Sequence, residues 1–243
     1  MFRLTGLAMA AALVLIACGG GGGDSTPIPT VVNASAEGFW TGPSSNGTTV
    51  QLAVLENGET WGFYTSGNIL AGALYGATSS IGTAISGSGR DFNIASRTVT
   101  AASYTGSVSP KSILSVTTSA GIKFTGSYSS AYDQPASLSS LAGTYSGFGV
   151  TGSTAAQSTP VTISASGNIT ASGAGCAATG TASPQATGKN IFDVSIAFNG
   201  SACALGSGTL TKGIAYFDTG TRQILAMALN PTKSDGFIYV GTR

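Results

Sequence analysis

The sequence predicts an all-β protein: two small antiparallel β-barrel or β-sandwich domains after a cleaved signal peptide and a flexible linker. Three observations predict it. Charged residues make up only 8% of the 243-residue chain, against roughly 25% in average soluble proteins, and 36 glycines with abundant Ser, Thr and Ala take their place. That composition disfavours long helices and suits short strands joined by many turns. Short segments alternate apolar and polar residues between Gly, Asn and Pro turn signals, and the chain states the same pattern twice.

The first element is residues 1–17. Arg3 supplies a positive start, and Leu7 to Ile16 is almost wholly apolar. The run is too short for a stable transmembrane helix, which needs roughly 20 residues. It fits the hydrophobic region of an export signal. Gly19 to Gly23 follow at once, and such a run ends any helix and behaves as a tether.

Leu15-Ile16-Ala17-Cys18 resembles the lipobox of bacterial lipoproteins. The resemblance implies that the Cys18 thiol receives a diacylglycerol, that the signal is cut before it, and that the new amine takes a palmitate-type acyl chain. The thiolate is the nucleophile, and several chains hold where one binds only marginally. Gly19 stands where lipoproteins kept in the inner membrane usually carry Asp, which implies the outer membrane, with the periplasmic or surface face left open.

Residues 18–36 read as a Gly/Pro-rich linker carrying lipidated Cys18. The first β domain is placed at 37–134, a connector rich in Ser with Pro135 at 135–140, and the second β domain at 141–243. "EGFWTG" (37–42) is answered by "AGTYSG" (142–147). "TVQLAVLENGETWGFY" (49–64) is answered by "TPVTISASGNITASG" (159–173), and "IKFTGSY" (122–128) by "FIYVGTR" (237–243). Val50, Leu52 and Val54 share one face, as do Val161, Ile163 and Ala165. Asn57-Gly58 signals a two-residue hairpin turn with both residues at positive φ, and Gly167-Asn168 a weaker one. In 190–200, Phe192, Val194, Ile196 and Phe198 face one way, Asp193 and Ser195 the other. Many candidate strands span five to eight residues and are broken by Gly, short for a membrane-spanning barrel, whose strands need roughly 10.

With Cys18 lipidated, Cys176 and Cys203 remain as a pair, and export permits their oxidation. A bond would tie the 176–182 strand to the loop after Phe198. The chain has no His and no CxxC, which argues against a zinc site or a redox motif.

Little else carries chemistry. Without His the usual triad base is missing, and no G-x-S-x-G, P-loop or calcium loop occurs. Glu56 and Glu59 flank the Asn57-Gly58 turn and are expected to face each other across it. They could serve as an acid/base pair of a carboxylate-only hydrolase, or stand as two solvated charges. Arg90-Asp91 reads as a local ion pair or a turn. Trp40, Trp61 and Tyr64, with Phe63, could form a ligand-contact cluster or pack a core. Tyr216, Phe217, Phe237 and Tyr239 pose the same choice. Removing residues 1–17 removes one cation, Arg3, and leaves nine charges of each sign, so no basic field for nucleic acid exists.

"EGFWTGPSSNGTTVQLAVLENGETWGFY", "GSGRDFNI", "FTGSYSSAYD", "SASGNITASGAGCAATGTASP", "NIFDVSIAFNGSAC" and "GIAYFD" together resemble a group of proteobacterial lipoproteins, over almost the whole mature chain. The resemblance implies the lipid anchor and the Cys176–Cys203 bond and brings no activity with it. A fold-level analogy runs to the β-barrel domains of transferrin-binding protein B, with no binding residue carried across. The resulting expectation is a membrane-anchored, non-enzymatic binding or surface protein without a cofactor. It would hold the membrane through its N-terminal lipid and bind an unknown protein, glycan or small-ligand partner. A structural or assembly accessory of the envelope is the alternative.

Overall fold

The structure, a computed structural model, describes residues 32–67 and 69–243. The signal segment, Cys18 and most of the linker lie outside the described residues. The described part forms one compact unit of two closed antiparallel barrels, so the β domains are barrels and not sandwiches.

The first barrel is an up-and-down circuit of β1 (Gly38–Pro43), β2 (Thr49–Val54), β3 (Glu59–Ser66), β4 (Ile69–Ile81), β5 (Ala84–Asn93), β6 (Thr98–Ser109), β7 (Ile113–Thr118) and β8 (Lys123–Tyr128). It closes where β8 meets β1, with Trp40 opposite Tyr128. Strands β4 and β6 reach 13 and 12 residues, longer than the short segments expected, because their glycines do not break them. Those glycines instead admit close neighbours. A Cβ at Gly72 would lie 2.1 Å from the Tyr64 ring, and one at Gly87 2.1 Å from the Tyr104 ring. The rings lie inside the barrel over bare backbone.

The second barrel runs β9 (Gly143–Thr151), β10 (Gln157–Ser158), β11 (Val161–Ile163), β12 (Asn168–Gly173), β13 (Cys176–Pro184), β14 (Phe192–Asn199), β15 (Leu210–Asp218), β16 (Gln223–Leu229) and β17 (Gly236–Thr242). Both β10 and β11 pair with β9, so they are two pieces of one strand. The break holds Pro160, which has no N–H to give the ladder. Strand β17 closes the circuit along β9, from Phe237 opposite Thr151 to Thr242 opposite Ser146.

The two halves repeat each other in detail. At the first hairpin Leu55 N donates to Glu59 O and Gly58 N to Leu55 O; at its counterpart Ser164 N donates to Asn168 O and Gly167 N to Ser164 O. Only the glycine of each turn has positive φ, 83° at Gly58 and 82° at Gly167. Each is therefore a three-residue loop with a glycine bulge, not the expected two-residue turn. Packing selects this form: the Gly58 carbonyl accepts Thr78 N and the Gly167 carbonyl accepts Ala182 N, each at 2.8 Å. The longer loop places Ala165 at the exposed turn, off the face of Val161 and Ile163. The first strands repeat too. Trp40 donates its indole N–H to Ala36 O, and Tyr145 its hydroxyl to Leu141 O, four residues upstream in both cases. Both rings are wholly buried.

Three apolar clusters follow from strand alternation. Trp40, Val50, Leu52, Val54 and Leu114 fill the first barrel. Tyr145, Phe192, Val194, Ile196, Phe198, Phe217 and Tyr239 fill the second. The third lies between the barrels, where Phe39, Trp61, Phe63 and Phe92 meet Ile214, Tyr216, Leu225, Met227 and Ile238. This explains "QILAMAL" in β16, almost continuously apolar and buried on both faces. Ile224, Ala226 and Ala228 point into the barrel, while Leu225, Met227 and Leu229 point at its neighbour.

The chain between the barrels is fastened at Asp133. Its carboxylate accepts Lys189 at 2.7 Å from the second barrel, and Lys111 and the Tyr128 hydroxyl, each at 2.9 Å, from the first. Lys189, then Lys111, hold its carboxyl far below the usual carboxylate range.

Candidate functional site: a cleft between the barrels

Alternation along β3 turns Glu59 and Trp61 outward, and the β3–β4 register sets Tyr75 directly opposite Trp61. The rings meet edge to face with centroids 4.6 Å apart. The Tyr75 hydroxyl donates to Glu59 at 2.9 Å. Burial first, then the Glu59 hydrogen bond and charge, push the Tyr75 pKa up to about 12, so the phenol stays a donor at neutral pH.

The third component comes from the other barrel. Lys233 sits in the β16–β17 turn in the left-handed region, φ 56°. The Asn230 side-chain oxygen shapes that turn by accepting Ser234 N at 3.0 Å and the Thr232 hydroxyl at 3.1 Å. The Lys233 ammonium thereby lies 5.0 Å from the Tyr75 ring centre and 5.6 Å from that of Trp61. Both are cation–π distances. Among the described residues Lys233 forms no salt bridge.

Trp61 is 2% exposed, and its indole N–H is buried without a hydrogen-bond partner. An unpaired buried donor of this kind costs about 1–3 kcal/mol. Two open grooves meet here and share Glu59 and Lys233. One, of about 400 Å³, runs between the barrels past Trp61, Gln185, Asp193, Ser195 and Lys212. The other, of about 800 Å³, crosses the outer wall of the first barrel past Asn57, Tyr75, Ser88, Arg90 and Ser103. Gln185 donates to Asp193 at 2.7 Å. The lining mixes donors with acceptors, and Glu59 and Asp193 nearly offset Arg90, Lys212 and Lys233.

The sequence-derived candidates separate in space. Trp40 and Tyr64 lie inside the first barrel. Trp40 is spent on Ala36, and Tyr64 donates to Asp91 at 2.7 Å. Burial raises the Asp91 carboxyl, with the Tyr64 bond acting in the opposite direction. Trp61 alone of the three belongs to the cleft. Arg90 and Asp91 are neither an ion pair nor a turn: both lie within β5, so Arg90 points out to the groove and Asp91 into the barrel. Glu56 and Glu59 do not face each other, because the glycine bulge makes Leu55 the partner of Glu59; Glu56 is left exposed at the tip. Tyr216 sits between the barrels, Phe217 and Tyr239 within the second. Cys176 and Cys203 are disulfide-bonded. Sequence reasoning missed Tyr75 and Lys233. Cross-strand registry with Trp61 could have found Tyr75; nothing local marks Lys233.

No protein-family model matches the chain, and no curated protein matches it. Among solved structures it is similar to transferrin binding protein B from Haemophilus parasuis Hp5, a vaccine antigen crystallised as a tryptophan-to-alanine mutant. The two share 7% identity at a TM-score of 0.27, over 80% of this chain. The match spans 65% of that chain, just under two thirds of its length.

Proposed function

We propose that this protein is a lipid-anchored, non-enzymatic binding protein of the bacterial outer membrane, and that its inter-barrel cleft takes a neutral glycan. The anchor reading rests on Leu15-Ile16-Ala17-Cys18 and the glycine tether behind it. The observation that carries the binding reading is the Lys233 ammonium, which forms no salt bridge among the described residues and lies over the Tyr75 and Trp61 rings beside Glu59, where two open grooves meet.

A sugar supplies what such a site lacks. Its hydroxyl or amide oxygens accept from the Lys233 ammonium, its hydroxyls donate to Glu59 and Asp193, and its C–H face packs on the partly exposed Tyr75 ring. A ligand with net charge gains less, because cleft charges of both signs nearly cancel. A glycan of the cell wall is within reach of a tethered envelope protein. Calorimetric titration of the lipidated protein in detergent with N-acetylglucosamine oligosaccharides tests the reading. Saturable binding that Lys233→Ala weakens about tenfold or more supports it; no heat with oligosaccharides of up to six units contradicts it.

A further inference from the structure

The second barrel holds a cavity that the cleft does not use. Its interior is packed by Tyr145, Phe192, Val194 and Ile196, with one small void beside Val194 and Ile196. Towards the end that carries the disulfide the inward positions become small: Ala171 on β12, Ala178 on β13 and Gly149 on β9. Ala171, Ala178 and Phe198 stand opposite one another in one cross-strand row. Two methyl groups there leave space that larger side chains would have filled. The result is a cavity of about 150 Å³ at the barrel mouth, with Phe198 and Phe237 on its walls. The two rings meet edge to face at 5.7 Å. Beneath it lies a second, wholly apolar void of about 30 Å³, which shares Ala171, Ala178 and Phe237 with the first.

The mouth is roofed by the β14–β15 loop, which contributes Ala202, Ala204 and Leu205. The Cys176–Cys203 bond pins that loop to the start of β13. The cavity is open on one side; Thr151, Thr154, Gln157, Thr159 and Ser172 stand among the lining residues, and no charged side chain among the described residues lines it. Glycines 200, 206 and 208 of this loop all have positive φ, so its course is set by backbone turns; Cys203 is buried, while Ala202 and Ala204 at the cavity rim are exposed.

We infer that the mouth of the second barrel is a binding site for a small, uncharged, apolar molecule about the size of one aromatic ring. The lining disfavours ions, since no charged side chain among the described residues is present to pair with one. The volume suits one ring, since about 150 Å³ accepts benzene in a closed apolar cavity; here the ring would lie against Phe198 and Phe237, with hydroxyls and one amide also in the lining. Eight-stranded barrels have room for one small ligand at this position. The disulfide-held roof keeps the chamber shaped in the absence of ligand, which limits the ordering cost of binding. The site is independent of the cleft; no residue lines both.

The test uses the full lipidated chain in detergent, with toluene held constant by vapour saturation as the probe. Nuclear Overhauser contacts from toluene ring protons to the Ala171 and Ala178 methyls are expected. Toluene should also raise the unfolding midpoint, and Ala171→Leu, which fills the chamber, should abolish that rise. Lys233→Ala, a cleft variant, should leave both signals unchanged. Absence of contacts to both methyls in the wild-type protein overturns the proposal. So does a midpoint shift that persists undiminished in Ala171→Leu with its β-sheet circular dichroism intact.

Discussion

The ring of Phe39, on β1 of one barrel, stacks on the ring of Tyr216, on β15 of the other, with centroids 4.3 Å apart and planes 18° from parallel. Both residues are buried. Each points away from its own barrel, so the contact exists only because the barrels share a core. Removing a buried Phe ring costs about 3–5 kcal/mol. Phe39→Ala is therefore expected to destabilise the whole described unit and not one barrel. Urea unfolding followed by near-ultraviolet circular dichroism should show a single transition in both forms. A double-mutant cycle with Tyr216→Ala should return a coupling of about 0.5–1.5 kcal/mol.

Asp133 gives the protein a defined response to acid. Its folded pKa is depressed by Lys189 and Lys111, so the native state holds fewer protons than the unfolded chain in the window below the ordinary carboxylate range. The stability it contributes is fully present above about pH 5 and is lost as pH falls towards the folded pKa. Asp133→Asn should destabilise the protein at pH 7, and the difference from wild type should shrink steadily from pH 5 to pH 2. A difference constant over that range would mean that the clasp is not electrostatic.

The Cys176–Cys203 bond closes a loop over a sequence separation of 27 residues. Chain-entropy arithmetic assigns such a cross-link about 3–4 kcal/mol. Cys203→Ser should lower stability by that order, measured by urea denaturation, and reductant should lower the wild type by the same amount without affecting the variant.

The glycines that let tyrosines lie flat inside the first barrel make a sharper case. A Cβ at Gly72 would meet the Tyr64 ring at 2.1 Å, while Gly47, at a turn, has nothing within 4 Å. Gly72→Ala should cost about 1–3 kcal/mol through overpacking and should disturb the Tyr64–Asp91 hydrogen bond. Thermal unfolding, together with the Tyr64 ring resonances, checks both parts.

Alternation at period two made the strands legible in sequence, and the paired phrases around Trp40 and Tyr145 made the repeat legible. The Cys176–Cys203 pairing was legible once Cys18 was set aside. The cleft was not. Trp61 looked like a companion of Trp40 and Tyr64 because they are near in sequence, yet a strand sends neighbours to opposite faces, and Trp61 alone points outward. Lys233 is far from Trp61 in sequence and reaches it only through the inter-barrel packing around Phe39 and Tyr216, which no local pattern encodes. Even there one signal was present: "QILAMAL" lacks the polar alternation of an exposed barrel strand, and its outward Leu225, Met227 and Leu229 announce a second covered face. Arg90 and Asp91 show the converse error, in which adjacent opposite charges suggested a pair although the strand holds them on opposite sides of the wall.

The chain has two tryptophans, and they provide a probe and its control in one spectrum. The Trp40 indole N–H is already bonded to Ala36 O, whereas that of Trp61 has no partner. The ¹H–¹⁵N indole resonances of the full chain in detergent, followed while N-acetylglucosamine oligosaccharides are added, test the central claim directly. A saturable shift of the Trp61 indole resonance, which lies next to the groove beneath Lys233, with Trp40 unmoved is the predicted result. A Trp61 resonance that stays in place at oligosaccharide concentrations up to the millimolar range contradicts the claim that this cleft binds a glycan.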